Sequence, residues 1–398
     1  MINRDPCLAR GLGYSLPKAT AARTFLDRFH DEALEALRPP REEQKSVIVP
    51  SSPPVEGLQR VQAGLVGRVA HLYEEQQRAL KIATIDQDAT IIESHKEAAR
   101  PHYEGGRGYQ PMVAVWGGGR PGGGRPISGR QCAGPAGAVD LRANGVCGPA
   151  PSVQARYFRG DSACYEHRLI SWLRHSDRAL EKGGAIGFAV SAVLSQELAL
   201  ALASVPAKQW QTFATEGDGT RRQWAEVDFV PGEKSERTDS RPLRYVGLRL
   251  RKAQGVLFAD GADRHHHAVL TNLDWPGDRL LDWHREKAGT VEQVHDEVKN
   301  ALGGGHLPSQ HFNVNAAWFK LALLTYNLAS AIRGLCFAPE ERNVRFKKFR
   351  LLLIHLAGRF SRFGCTLRLR FCAPREAIGR VQKVWEVFVL PTQATAFG

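Results

Sequence analysis

No CxxC pair occurs among the seven cysteines of this 398-residue sequence (Cys7, Cys132, Cys147, Cys164, Cys336, Cys365 and Cys372), and their number is odd. A long chain with scattered cysteines reads as reduced, without a disulfide framework. Missing too is any uninterrupted apolar run of roughly 18 residues, so there is no candidate membrane-spanning helix. The opening MINRDPCLARGLGYSLP lacks the apolar core of a signal peptide, and no internal repeat is present. These absences make a cytoplasmic location the expectation. Acidic residues are in the minority, 41 Asp plus Glu against 54 Lys plus Arg, for a formal net charge of +13. That balance favours a polyanionic partner, nucleic acid before membrane, and no membrane association is expected.

The cations cluster towards the C-terminus, in RFKKFR (Arg345 to Arg350), GRFSRFG (Gly358 to Gly364) and LRLRF (Leu367 to Phe371). Basic residues interleaved with aromatic and aliphatic ones suit phosphate contacts made by a surface that is also packed. A solvated basic face on a helix and strand is the plainer alternative. Helical spacing of Phe25, Leu26, Phe29, Leu34 and Leu37 predicts a helix over 18–38, and a second runs over about 55–80. KIATIDQDATII alternates with period 2, and PMVAVW (Pro111 to Trp116) is a short apolar run bounded by glycines, so both predict strands. SVQARYFRGDSACYEHRLISWLRH reads as a strand followed by an amphipathic helix, and GGAIGFAVSAVL as a buried strand. Residues 210–275 are strand-like and rich in aromatics. Helices are expected over about 277–302 and 313–335.

Between Gly117 and Gly148 the text changes to GGGRPGGGRPISGRQCAGPAGAVDLRANGVCG, with almost no periodicity. It is not a phosphate-binding loop, because no GK[ST] follows and no helix opens after it. His265, His266 and His267 are a tempting metal cluster, yet adjacent residues of a strand face alternate sides and no spaced partner is evident.

Three carboxylates stand where chemistry is expected. Alternation in TIDQDAT puts Asp86 and Asp88 on one face of a strand, where an acid is costly unless it is paired or holds a metal. Asp161, in FRGDSACY, sits at the carboxyl end of a second strand, the place where open α/β sheets gather catalytic groups. Glu292 begins a helix with the apolar stripe Val291, Val294, Val298 and Leu302, and Lys299 returns to nearly its azimuth two turns on. Phosphoryl transfer through divalent metals needs such hard oxygen ligands from separate elements, with cations near the scissile phosphate. Taken singly, Asp88 is equally a turn aspartate, Asp161 a helix N-cap, and the Glu292 and Lys299 pair a solvated helix face.

In combination, TIDQDATIIESHKEAARPHYEGGRGYQPMVAVW, YFRGDSACY, REKAGTVEQVHDEVKN with NAAWFKLALLTYNLASAIR, and the basic tail make the sequence resemble insertion-sequence DDE transposases of the RNase H-like superfamily. The resemblance is to the branch with a β insertion before the catalytic Glu, and covers nearly the whole chain from about residue 10. It implies an α/β fold, an RNase H-like mixed sheet with flanking helices, interrupted by a β-rich insertion. The expected organisation is an N-terminal helical region over 1–80, the first part of the catalytic core over 81–190, the insertion over 191–280, and the rest of the core with a basic C-terminal region over 281–398. Asp88, with Thr90 in an Asp-x-Thr arrangement, would be the first acid, Asp161 the second and Glu292 the third, with Asp86 as a fallback for the first. Together they would bind Mg²⁺ or Mn²⁺. Lys299 would be the basic residue of the signature helix. Broader relatives carry Tyr and Arg seven and four residues before the Glu; here Arg285 and Ala288 stand there, and Lys287 is the candidate to supply the charge. Arg285, Lys287, Lys299, Arg345, Lys347, Lys348 and Arg350 are the candidate DNA contacts. The implied partners are transposon terminal inverted repeats and target DNA, with a homodimer in the synaptic complex. Trp210, Trp224 and Trp275 in the insertion are candidates for stacking on an unpaired base or, alternatively, for core packing.

One permitted coding sequence for Trp116 to Ala133 yields Ala-Glu-Ala-Asp-Leu-Val-Val-Ala-Asp-Gln-Phe-Arg-Asp-Gly-Asn-Val-Pro when a single G after TGG is deleted. That is a strand and an acidic turn resembling what the family carries there. The 117–148 stretch therefore reads as frameshifted or disordered, and a missing upstream helical region reads as truncation. The functional expectation is metal-dependent DNA cleavage and strand transfer at insertion-sequence ends, possible degeneracy included. A catalytically dead DNA-binding remnant and a non-transposing nuclease stay open.

Overall fold

The computed structural model describes residues 18–37, 51–76, 78, 81–97, 99–102, 104–118, 127–133, 153–175, 185–231, 243–253, 256–363 and 366–389. The N-terminal helix expected over 18–38 is two pieces, α1 (Ala19–Asp27) and α2 (Glu32–Ala36). Asp31 separates them, because its carboxylate accepts the Leu34 N–H at 3.0 Å and so starts a new helix. Helix α3 (Pro53–Glu75) begins with proline in its first turn, where the missing N–H costs no hydrogen bond.

The mixed sheet forms around β1 (Ile82–Ala89), which is antiparallel to β5 (Met112–Gly118) and parallel to β7 (Ala155–Gly160). Outside β5 lies β6 (Ile127–Ala133), antiparallel, and beyond β7 lies β8 (Ile186–Ser191), parallel. The order β6-β5-β1-β7-β8 is that of an RNase H-like fold. A small sheet of β2 (Ile92–Glu93), β3 (Arg100–Pro101) and β4 (Arg107–Tyr109) fills the connection from β1 to β5. Residues 117–118 thus end β5 and 127–133 form an edge strand; the rest of the stretch singled out over 117–148 lies outside the described residues.

After helix α4 (His167–Arg174) and β8, the chain makes α5 (Gln196–Ser204) and four strands, β9 (Gln211–Thr215), β10 (Arg221–Val227), β11 (Arg244–Arg251) and β12 (Arg264–Thr271). These form a meander, and β12 pairs with β8, so the β-rich insertion prolongs the core sheet to nine strands. Two helices follow, α6 (Gly277–Arg285) and α7 (Lys287–Asp296), then a π-helical turn over Glu297–Ala301. The expected single helix over 277–302 is therefore divided at Glu286, and Glu292 lies mid-helix rather than at a start. The long α8 (Phe312–Cys336), the short α9 (Phe346–Phe349), a hairpin of β13 (Gly358–Phe363) and β14 (Thr366–Phe371), and α10 (Arg375–Val384) complete the chain.

Alternation assigns the two faces of the sheet. Phe158, Ile186, Phe188 and Val190 pack with Leu169, Leu173, Leu198 and Leu202, placing α4 and α5 on one side. Ala189, Val246 and Val269 meet Leu280, Leu281 and Trp283 of α6 on the other. On that second side Val113 and Val115 meet Val291, Val294 and Val298, with Phe319, Leu323 and Tyr326 of α8 behind them. Full burial of each valine contributes on the order of 1.5 kcal/mol or more, which pins α7 against the centre of the sheet. Among the described residues no helix is long and apolar enough to cross a membrane.

Candidate active site

Strands β1 and β7 are parallel neighbours, with Asp86 opposite Arg159 and Gln87 opposite Gly160. The next residues, Asp88 and Asp161, therefore emerge side by side at the carboxyl ends of the two strands. Asp161 also caps the short 3₁₀ turn Ser162–Cys164, its carboxylate accepting the Ala163 N–H at 3.1 Å. The cap and the acid are one residue. Burial first, and then the negative charge of Asp88, push the Asp161 carboxyl above its ordinary range, while Lys287 pulls it back. Lys287 Nζ donates to Asp88 Oδ1 at 2.8 Å, and both side chains are mostly covered. The pair of carboxylates is thus balanced by an ammonium at the first position of α7.

The same alternation continues along β1. Asp86 is fully buried and receives both arms of Arg159, Nε at 2.6 Å and Nη2 at 2.8 Å. Arg159 also donates to the Trp283 carbonyl and lies over the Trp283 ring at 5.0 Å. Lys299, within the π turn, donates to the Ile91 carbonyl at 2.8 Å and to Thr90 Oγ1 at 3.4 Å. Asp86 and Asp88, on one face of β1, and Thr90, just past its end, thus meet Arg159, Lys287 and Lys299 in turn.

Glu292 is exposed on α7, five residues beyond Lys287 and three before His295. Ideal helix geometry puts it about 7.5 Å along the axis from Lys287. His295 is close enough to feel the charge of Asp88, and burial holds its imidazole down to about 4. Its Nε2 is buried without a hydrogen-bond partner. Glu292 therefore lies between Lys287 and His295 along α7, with its side chain on the exposed side of the helix. Among the described residues, the ligand atoms of Asp88, Asp161 and Glu292 do not all lie within 4.8 Å of one another. Glu297, the acid that opens the π turn, is buried against Arg333 at 3.7 Å.

Sequence reasoning missed two supports of this centre. His284 Nε2 donates to the Gly160 carbonyl at 3.0 Å, fixing the end of β7 just before Asp161. Cys164 is buried beneath, and a Cβ added at Gly160 would come within 2.6 Å of its Cβ. Only glycine lets the 3₁₀ turn close so tightly. Nothing in the local text marks these roles, because each depends on a contact between distant elements.

Burial lowers His284 to about 4. A depressed folded-state histidine binds its proton less readily than the unfolded chain, so its stabilising contribution is complete above about pH 6.5 and is lost as pH falls through about 4. The urea midpoint is expected to drop across that window, by up to about 3 kcal/mol in unfolding free energy per such imidazole. His284→Gln, which preserves a donor, should flatten the profile. An equal slope in the variant would remove His284 from the account.

The other sites singled out from sequence are dispersed. Arg285 pairs with Glu216 at 3.3 Å and Arg345 with Asp296 at 2.7 Å, both at the surface. Lys347, Lys348 and Arg350 are exposed, while Phe346 and Phe349 beside them are buried. Trp210 is buried between Arg249, at 4.4 Å, and His266, at 5.5 Å. Trp224 and Trp275 are half-buried and pack against the α6 side of the sheet. His265 meets Asp260 at 3.5 Å, and among the described residues the three histidines belong to no metal-like group.

Among solved structures the chain is similar to a piggyBac transposase synaptic complex with hairpin DNA, at 10% identity. The match covers 76% of this chain and 72% of that one, with a TM-score of 0.28. No curated protein matches. The family described as transposase DDE domain group 1 matches residues 2–380, nearly the whole chain. The chain belongs to this family of DDE transposases.

Proposed function

We propose that the protein cuts DNA at the ends of an insertion sequence and joins the freed 3′ hydroxyl to target DNA, with Asp88, Asp161 and Glu292 holding Mg²⁺ or Mn²⁺. The observation that carries this is the pair Asp88 and Asp161, side by side at adjacent strand ends with Lys287 against one of them. Two hard oxygen donors side by side, one of them with a carboxyl raised first by burial and then by the charge of the other, fit a small divalent cation. Bound there, the cation supplies a Lewis acid for the phosphoryl oxygens and a more acidic water.

The chain's own residues do the rest. Lys287 keeps positive charge beside the phosphate position and is freed from Asp88 when the carboxylates are otherwise neutralised. His284 and Gly160 fix the turn that aims Asp161. Glu292, on the exposed side of α7, completes the ligand set from a third element. Arg345, Lys347, Lys348 and Arg350, anchored by the buried Phe346 and Phe349, hold the DNA backbone together with exposed Arg359, Arg368 and Arg370 of the hairpin. The natural substrates are terminal inverted repeats and target DNA, with two ends brought together by a homodimer.

The deciding experiment incubates purified protein with terminal-repeat DNA and Mg²⁺ and follows both nicking and strand joining. Both products support the proposal. Nicking without joining makes the chain a nuclease, and binding without either makes it a remnant. A separate measurement checks the DNA surface. Lys347→Gln with Lys348→Gln should weaken binding to all sequences alike. The slope of log K against log salt should become shallower by about 0.9 for each phosphate that the variant no longer neutralises. An unchanged slope would take these lysines off the DNA.

A further inference from the structure

We propose that His30, Glu35 and His311 form a second metal site, for a zinc-like divalent transition cation, which clamps the N-terminal helices to the start of α8. Among the described residues this is the one group of three or more such side chains whose ligand atoms all lie within 4.8 Å of one another. The three residues come from separate places: His30 follows α1, Glu35 lies in α2, and His311 is the residue before α8. Proximity in sequence does not explain their meeting, since the hydrogen bond between Glu35 and Phe312, next to His311, spans 277 residues.

The donor set is chemically distinct from that of the active site. Two imidazoles and one carboxylate suit zinc and its neighbours, whereas a set made of carboxylates alone suits Mg²⁺. The imidazole rings of His30 and His311 lie 3.8 Å apart at their centroids, tilted by 33°. His30 Nδ1 is buried without a hydrogen-bond partner, which is costly for a polar atom and is relieved by a metal bond. Glu35 is already oriented, its Oε2 accepting the Phe312 N–H at 3.1 Å, the kind of outer bond that fixes a ligand. Tetrahedral coordination at about 2.0 Å places ligand atoms roughly 3.3 Å from one another. Side-chain rotation of the exposed His311 and half-buried His30 and Glu35 covers the difference, and exposure leaves a fourth position to water.

The backbone on both sides of the site is already held. Phe29, Val55 and Ala317 pack together, Ser52 Oγ donates to the Phe29 carbonyl at 2.9 Å, and the Ser52 N–H donates to Asn313 Oδ1 at 3.0 Å. A cation here ties the corner between α1 and α2 to the same turn of α8 and stabilises that docking by mass action.

The test uses the full chain, stripped with chelator and titrated with Co²⁺ and then Zn²⁺. The expected result is one equivalent of Co²⁺ with tetrahedral visible bands, lacking thiolate charge transfer, and a rise in Tm on Zn²⁺ addition. Asp161→Asn should retain this site, which separates it from the catalytic carboxylates. His311→Ala, at an exposed position, should leave unfolding of the metal-free chain unchanged while weakening the site about 100-fold or more. Glu35→Gln, which keeps the shape, should also weaken it. Equal Co²⁺ uptake and an equal Zn²⁺-induced Tm rise in the wild-type chain and His311→Ala overturn the proposal.

Discussion

Asp88→Asn and Asp161→Asn are each expected to lower Mg²⁺-dependent DNA cleavage by on the order of 10³-fold or more while leaving the protein folded. Asparagine keeps the size of the side chain and removes the charge that a hard cation needs. A change in stability should accompany the loss, with a sign that identifies its cause. Asp161 has a folded-state carboxyl raised by burial and by Asp88. The native state therefore holds that proton more tightly than the unfolded chain, and stability is highest at low pH and falls as pH rises through the raised value. At neutral pH the ionised Asp161 is a cost. Asp161→Asn removes it, so the metal-free variant should melt at a higher temperature than the wild type. Mg²⁺ should then raise the Tm of the wild type and leave the variant unmoved. Glu292→Gln separates the third acid from the other two: being exposed, it should leave the metal-free Tm unchanged and lose cleavage comparably. If Asp161→Asn melts lower and keeps its cleavage, the centre lies elsewhere.

The parts of this centre that were legible in sequence are those set by local periodicity. A period of 2 placed Asp86 and Asp88 on one face of a strand, and the Val291, Val294 and Val298 stripe gave α7 its buried side, because both follow from backbone geometry alone. The fold class was legible through the order of motifs. The illegible parts depend on contacts across the chain. Arg159 carries no local signal in YFRGDSACY, yet register with β1 brings it to Asp86, 73 residues away. Lys299 reads as a partner of Glu292 on an ideal helix, but it lies in the π turn and bonds the link just after β1 instead. His284 is equally silent, and its role appears only once α6 packs beside the end of β7. The tryptophans of the insertion carry both stacking and packing potential in their composition. Trp210 is buried against Arg249, and the half-buried Trp275 packs against Tyr157 and Trp283, contacts that only the fold brings about.

Asp86→Ala is expected to cost about 3–5 kcal/mol of folding stability, the largest such effect of any single change near the centre. The carboxylate is fully buried, and both its oxygens are taken by the Arg159 guanidinium. Removing it leaves the buried Arg159 cation with only the exposed Glu286 carboxylate, at 3.3 Å, as an anionic partner, and with its Nε and Nη2 donors unsatisfied. For a chain of this length, at about 2.1 cal/mol/K of unfolding entropy per residue, the corresponding fall in Tm is roughly 4–6 °C. The double change Asp86→Leu with Arg159→Met removes both charges, so it should recover much of the loss, because the cost belongs to the buried cation deprived of its main partner rather than to the missing pair. Cleavage per folded molecule should persist in both variants at low temperature, since Asp86 is closed off by Arg159 while Asp88, two residues on, faces Lys287. A variant Asp86→Ala that melts like the wild type and fails to cut DNA would make Asp86 the first metal-binding acid and leave Asp88 as its support.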